Sequence, residues 1–169
     1  MKIGLLSDTH GTFDDKLKRF FTDVDEIWHA GDFGNIATAD AIAAFKPLRG
    51  VYGNCDGQDV RIVYPKTLRF VCENVDVLIT HIGGYPAHYD YSIYKEFLVN
   101  PPKLFICGHS HILKVMNDKQ FGFLHVNPGA AGNYGIHAVR TAARFEISNG
   151  NIANLEVGEW RKERIIDNY

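Results

Sequence analysis

Apolar positions along the first half of the chain alternate between two periods. "KIGLLS" (2–7) is a short apolar run that reads as a buried strand. Between residues 12 and 24 the spacing changes. Phe13, Leu17, Phe20, Phe21 and Val24 stand at i, i+4, i+7, i+8 and i+11, one face of a helix. Thr12 is placed to cap that helix, and Asp14 and Asp15 suit its first turn. "EIWHAG" (26–31) reads as the next strand. Asn35 is placed to cap a second helix from Ile36 to Phe45, which must stop before Pro47. "LRGVYG" (48–53) follows as a third strand. Strands alternating with helices predict βαβ units and a largely parallel sheet.

The second half has a different rhythm. "TLRFVC" (67–72) and "VDVLITH" (75–81) are close enough in sequence to pair as a hairpin. Tyr91, Tyr94, Phe97 and Leu98 predict a short helix over 91–98, ended by Pro101-Pro102. Then come "KLFICGH", "LKVMN", "FGFLHVN", "RTAARFEI" and "NIANLEV". The turn signals "NDKQ" and "SNGN" separate members of this set. The expected fold is α/β at the start and increasingly antiparallel later, with two packed sheets and helices outside. The tail "RKERIIDNY" (161–169) is charged and is expected to fray.

Length and composition narrow the class. A chain of 169 residues without repeats, low-complexity tracts or a visible linker is expected to form a single domain, 1–169. Net charge is −2, with no basic run, so nucleic acid is not an expected partner, whereas a small anionic ligand is compatible. The three cysteines, Cys55, Cys72 and Cys107, form no Cys-x-x-Cys pair, and a reduced, cytoplasmic chain is expected. The apolar core of "MKIGLLSDTHG" is too short for a signal peptide. No apolar stretch approaches the ~20 residues of a membrane span, so no membrane partner is expected.

The chemistry lies at the strand ends. Asp8-Thr9-His10 follows the first strand, Gly31-Asp32 the second, and Gly53-Asn54-Cys55-Asp56 the third. "VDVLIT" ends in His81, and "KLFIC" ends in Gly108-His109-Ser110-His111. The carboxyl edge of an α/β sheet is where ligands bind. If these edges lie side by side, two carboxylates, four imidazoles and one carboxamide converge. An oxygen–nitrogen set without thiolate suits divalent Mn, Fe, Zn or Co better than Cu(I) or an iron–sulfur cluster. Two divalent ions against Asp8 and Asp32 leave a site of about +2, which attracts an anion such as phosphate. Holding the ions ~3.5–4 Å apart requires a shared carboxylate oxygen, and Asp32, central in chain order, is the candidate.

Together, Asp8-x-His10, Gly31-Asp32, Gly53-Asn54, His81 and Gly108-His109-x-His111 resemble the five signature blocks of the calcineurin-like metallophosphoesterases, most closely their small bacterial and archaeal phosphodiesterase branch. The resemblance runs from residue 1 to about 135 and implies a four-layer α-β-β-α sandwich with two mixed β-sheets. It implies one metal on Asp8, His10, Asp32 and His111 and another on Asp32, Asn54, His81 and His109. Manganese is foremost, with Ni, Fe, Co or Zn as alternatives. Asn54 would also touch the substrate phosphate. "VNPGAAG" (126–132) resembles the family's Asn-Pro-Gly loop, with Ala130 where serine is common. Many members carry a histidine, thought to protonate the leaving group, where this chain has Cys55; "GNCD" is frequent in the small phosphodiesterase branch.

The implied activity is metal-dependent hydrolysis of a small phosphate ester, with a phosphodiesterase using a metal-activated water as the leading reading. A phosphomonoesterase acting on a phosphometabolite is the alternative. So is a non-catalytic interaction scaffold like the small retromer subunit, in which ligand positions are eroded; here all seven are intact. The oligomeric state is open, a homo-oligomer included. Several residues have a plainer reading. Cys72 and Cys107 lie in strand runs and read as core. His29 reads as structural, with Asp32 as the residue it could orient. His125 and His137 are candidates for substrate contact because they flank the Asn-Pro-Gly loop. "YPAHYDYSIY" (85–94) is either an aromatic wall over the site or a packing face.

Overall fold

The computed structural model describes residues 1–162. The last seven residues of the tail expected to fray lie outside the described residues. Apart from a separate two-stranded ribbon, in which β6 (Gly84–Tyr85) pairs with β7 (His88–Tyr89), two five-stranded mixed sheets carry the fold. In the first, the order is β12-β11-β1-β2-β3, with β1 (Lys2–Leu6), β2 (Glu26–His29) and β3 (Leu48–Gly50) parallel. The long pair β11 (Val139–Ser148) and β12 (Asn151–Arg161) adds antiparallel strands beside β1. In the second, the order is β4-β5-β8-β10-β9. Here β5 (Val75–Thr80), β8 (Leu104–Ile106) and β10 (Leu124–Pro128) are parallel. β4 (Thr67–Cys72) and β9 (Leu113–Asn117) close the edges antiparallel.

Strand alternation explains the layers. Ile3 and Leu5 of β1, with Trp28 and Phe145, face the second sheet, and Val77, Ile79, Leu104, Ile106 and Val126 face the first; all are buried in one inter-sheet core. The residues between them point outward. Leu6 and Ile27 pack with Leu17 of α1 (Asp15–Phe20) and Ile42 of α2 (Ile36–Phe45). Leu78 and Phe105 pack with Ile93 and Phe97 of α4 (Tyr91–Val99) on the opposite side. Three apolar interfaces thus join helix to sheet, sheet to sheet and sheet to helix, the expected four-layer sandwich. Each fully buried large apolar side chain contributes about 1.5–3 kcal/mol.

Local signals account for several boundaries. The Asn35 side chain accepts from the Thr38 N–H, capping α2 as expected. Two-residue loops with positive φ at both residues, Glu73-Asn74 and Asn149-Gly150, join β4 to β5 and β11 to β12, the turn chemistry that suits hairpin twist.

Elsewhere the structure corrects the sequence reading. α1 begins at Asp15 rather than near Thr12, and Asp14 is its cap, accepting from Leu17 N–H at 3.1 Å. Thr12 cannot cap it because its N–H closes a turn onto the Thr9 carbonyl, in the loop that carries His10. β3 is shorter than 48–53, since the chain leaves the sheet to form the Asn54 loop. α3 (Gln58–Val63) escaped notice: it has six residues, buries only Val60 and lacks a side-chain cap. Finally, α4 buries Ile93 and Phe97, while Tyr91 and Leu98 are exposed.

Candidate metal centre

The carboxyl ends of β1, β2, β5 and β8 come together along one rim of the two sheets. Cross-strand hydrogen bonds bind the rim: Asp8 N–H donates to the Gly31 carbonyl at 2.9 Å, His10 N–H to the Asp32 carbonyl at 3.1 Å, and Gly108 N–H to the His81 carbonyl at 2.9 Å. Five of the seven expected ligands hold positive φ: Asp8 (53°), His10 (43°), Asp32 (58°), His109 (67°) and His111 (57°). Side chains with a Cβ rarely adopt this conformation, and each instance costs on the order of 1–3 kcal/mol. The remaining non-glycine cases, such as Glu73, Asn74 and Asn149, lie mostly in surface turns. Strain concentrated on one rim is a mark of a functional site.

Glycines make the close approach possible. A Cβ on Gly31 (φ 96°) would stand 2.6 Å from the His81 ring, and one on Gly53 would overlap the Asp32 carboxylate.

Three of the buried side-chain atoms left without partners mark the centre; the others, on Trp28, His125 and Arg140, lie apart from it. Asp8 Oδ1, His10 Nε2 and His81 Nε2 are buried and accept no hydrogen bond among the described residues. They face one another. Asp8 Oδ1 lies 3.2 Å from His111 Nε2, 3.9 Å from His81 Nε2 and 4.0 Å from His10 Nε2. Asp32 Oδ2 lies 3.3 Å from His81 Nε2 and 3.8 Å from His10 Nε2. A buried unpaired acceptor is costly, and a cation among these atoms would satisfy them together.

The outward atoms of the same side chains are fixed. Asp8 Oδ2 accepts from Ser7 Oγ at 2.6 Å and His109 N–H at 3.1 Å; Asp32 Oδ1 accepts from Cys55 N–H at 2.8 Å. His81 Nδ1 meets the Ala30 carbonyl at 2.7 Å, a contact only an N–H can make, so the neutral ring presents a bare Nε2 to the carboxylates. The same logic runs through two rings at His111. His137 Nε2 donates to the Gly132 carbonyl at 3.0 Å, so a neutral His137 has a bare Nδ1. That nitrogen accepts from His111 Nδ1 at 3.1 Å and leaves His111 Nε2 bare toward Asp8. His111 is thereby held in the tautomer that metal ligation requires.

Electrostatics match. Burial disfavours the Asp32 charge, but His81 and the Cys55 N–H outweigh it and hold this carboxyl far below the usual range. Burial likewise pulls His81 toward its neutral form, yet the nearby Asp32 and Asp8 raise its affinity for a proton overall. A divalent ion would displace that proton.

Asp8, His10, Asp32, His81 and His111 therefore converge with ligand atoms within 4.8 Å of one another in overlapping groups, one of which includes Cys55. His109 is exposed, with its ring centroid 5.3 Å from that of His81. Asn54 is exposed on the same side, its amide donating to Cys55 Sγ at 3.4 Å.

Other expected residues sit elsewhere in the chemistry. His137, expected at the substrate, has both ring nitrogens engaged. His125 is fully buried under Tyr89 and Phe105 and faces no substrate. Tyr89 packs against Phe97, Phe105 and Phe123 and donates to Asp118, so this part of 85–94 is a packing face. His29 is a buried brace, driven down to about 3 by burial: Gly31 N–H donates to Nδ1, and Nε2 lies 2.9 Å from Thr9 Oγ1. Asp56, passed over in the sequence, accepts from the N–H groups of Asp32, Gly53 and Gly34 and so pins the Asp32 turn. Its signal was the aspartate two residues after Asn54. Asn127 similarly ties the Asn-Pro-Gly loop to the Gly108 carbonyl and Ser110 Oγ.

The relay through His137 yields a measurable expectation. His137→Phe removes the acceptor that orients His111, and metal affinity at that side should fall about 10–100-fold in a calorimetric titration with Mn²⁺. His137→Gln, which retains an acceptor, should recover most of the loss. Equal affinity in all three proteins would refute the orienting role.

An α-β-β-α sandwich whose sheet rims gather carboxylates and imidazoles around bare acceptor atoms is, as a class, a metal-site scaffold. The model of the calcineurin-like phosphoesterase superfamily domain matches residues 1–150, and the chain belongs to that superfamily. No curated protein matches the sequence. Among solved structures, Vps29 from Chaetomium thermophilum superposes with a TM-score of 0.72 at 16% identity, covering 96% of this chain and 100% of that one. Vps29 complexed with Zn²⁺ from Entamoeba histolytica gives 0.71 at 18%, covering 96% and 100%. A structure described as a novel archaeal phosphodiesterase gives 0.68 at 21%, covering 93% and 99%. At these identities the likeness establishes the fold.

Proposed function

We propose that this protein is a phosphodiesterase that works with two divalent metal ions, manganese foremost. The observation that carries this reading is the convergence of buried, unpartnered Asp8 Oδ1, His10 Nε2 and His81 Nε2 at the rim of a phosphoesterase fold. Asp8, His10, Asp32 and His111 would hold one ion; Asp32, Asn54, His81 and His109 would hold the other. Metal ions held there would supply Lewis-acid stabilisation of phosphoryl oxygens and would lower the pKa of a bound water toward neutrality.

The chain's own residues set the geometry. With Oδ1 tied to Cys55 N–H, Asp32 presents Oδ2 between His10 of the first set and His81 of the second, as a bridging ligand must. The exposed Asn54 amide can turn to a phosphoryl oxygen. The diester preference is supported by a cavity on each side of the centre. One of about 440 Å³ adjoins Asn54 and His81; the other, of about 540 Å³, adjoins His10, Cys55 and Tyr134. A diester has an arm for each.

Leaving-group chemistry tests the reading. Burial and the Asp32 carboxylate push the Cys55 thiol up to about 11 in the metal-free chain, and even an unperturbed thiol, at about 8.5, is a poorer acid at neutral pH than an imidazolium. A positioned general acid is worth about 10²–10⁴-fold, most for basic leaving groups. Rates, measured as kcat/KM over a series of aryl and alkyl phosphodiesters, should therefore fall steeply as leaving-group pKa rises. Cys55→His should flatten that slope, and Cys55→Ala should barely change it. A flat slope in the wild type would mean that another group is the acid.

A further inference from the structure

We propose that the cavity beside Asn54 and His81 is a subsite for a second anionic group on the substrate, with Lys66 as its specificity determinant. This rests on the phosphodiesterase reading and narrows it to diesters that carry a further phosphate on one arm.

The two cavities flanking the centre differ in charge. The one by His10 is lined by Thr12, Gly34, Asn35, Cys55, Asn133 and Tyr134, with no lysine or arginine. The one by His81 contains Arg61 and Lys66 against a single carboxylate, Asp90. Asp90 is committed to α4: its Oδ1 accepts from Ser92 N–H at 2.9 Å and from Ser92 Oγ at 2.5 Å. Arg61 is also committed. Its Nε donates to the Asp56 carbonyl at 2.7 Å, its Nη2 reaches the Gly53 and Asn54 carbonyls, and its guanidinium lies 4.9 Å from the Tyr52 ring centroid. Arg61 therefore shapes the Asn54 loop while adding positive charge to the cavity wall.

Lys66 is different. It is exposed on the segment between α3 and β4, and its ammonium lies in no hydrogen bond or close ion pair among the described residues. Its charge does reach the Asp90 carboxylate across the cavity and, after the Ser92 hydrogen bonds, helps to hold that group below its usual range. Lys66 is a point charge on the lining of a cavity that also includes Asn54 and His81. A phosphoryl group at that centre would place one ester arm in this cavity. A terminal phosphate on that arm would meet Lys66, with Arg61 as background field. An uncharged arm gains nothing from it.

Two substrates that differ only in the distal phosphate test the idea. Thymidine 5′-(4-nitrophenyl phosphate) and its 3′-phosphorylated form share reacting bond and leaving group. The wild type with Mn²⁺ should favour the 3′-phosphorylated ester in kcat/KM, chiefly through KM. Lys66→Gln should lose roughly fivefold on that ester alone, the scale of one exposed ion pair, and leave bis(4-nitrophenyl) phosphate unchanged. Binding of thymidine 3′,5′-bisphosphate and thymidine 5′-monophosphate, by calorimetry on the same proteins, gives a readout without turnover. Hydrolysis of both esters with the same ratio in wild type and Lys66→Gln would overturn the subsite and spare the phosphodiesterase reading. No hydrolysis of either ester, but a bisphosphate preference that Lys66→Gln removes, would overturn the phosphodiesterase reading and leave the anion subsite standing.

Discussion

Asp32→Asn is expected to lower phosphodiester hydrolysis by about 10³-fold while the protein stays folded. The loss is of the size seen when one preorganised electrostatic contact to the reacting centre is removed. Asp32 is sensitive to this because, in the proposed arrangement, one of its oxygens would serve both ligand sets. Its Oδ2 is the carboxylate oxygen nearest both His81 Nε2 and His10 Nε2, and its Oδ1 is fixed by Cys55 N–H. Asparagine keeps the shape and tolerates the left-handed φ of 58° at this position. The effect should therefore come from charge rather than from misfolding. Metal content should drop from two ions per chain toward one. Asp8→Asn should cost the first ion more than the second, because Asp8 belongs to one set. Elemental analysis of both variants beside their kinetics checks this, and two full sites in active Asp32→Asn would refute the bridge.

Metal should also dominate stability. In the metal-free chain, Asp8 Oδ1, His10 Nε2 and His81 Nε2 are buried without partners and are a standing cost to the fold. An ion that binds only the native state at about a thousand times its Kd stabilises by about 4.1 kcal/mol. For a domain of this size each kcal/mol moves Tm by about 2–4 °C. Excess Mn²⁺ should thus raise Tm by about 8–16 °C for each ion bound, and a chelator should abolish the rise. Asp32→Asn should retain less than half of it. Scanning calorimetry of the chelated and reloaded proteins makes the comparison. Identical Tm in both states would mean that the cluster does not bind metal tightly.

Much of this centre was legible because each ligand follows a strand. A buried strand shows as an apolar run, and a polar residue at its carboxyl end has only the sheet rim to occupy. Asp8, Asp32, His81 and His111 were found this way, and the structure places them on one rim. Caps and hairpins were legible for a similarly local reason: Asn35 and the Asn149-Gly150 turn act within a few residues of themselves.

What escaped depends on distant partners. The start of α1 was misplaced because Thr12 belongs to the His10 loop, whose conformation is set by hydrogen bonds to Asp32 and Phe33 on the neighbouring strand end. The buried face of α4 was misread because aromatic spacing at Tyr91 and Tyr94 outweighed Ile93, which meets the sheet. His137 looked like a substrate contact from its place near the Asn-Pro-Gly loop. The structure brings its Nδ1 to His111 Nδ1, 26 residues away, a contact that no local spacing encodes. Asp56 likewise pins the turn of Asp32, 24 residues earlier, a pairing that no sequence period encodes.

The central claim is most directly tested by hydrolysis of bis(4-nitrophenyl) phosphate before and after metal is removed. Exhaustively chelated protein should be inactive. Activity should return as Mn²⁺ is titrated in and level off near two ions per chain. Full turnover in the metal-free protein, or none with Mn, Ni, Co, Zn or Fe at any loading, would contradict the account.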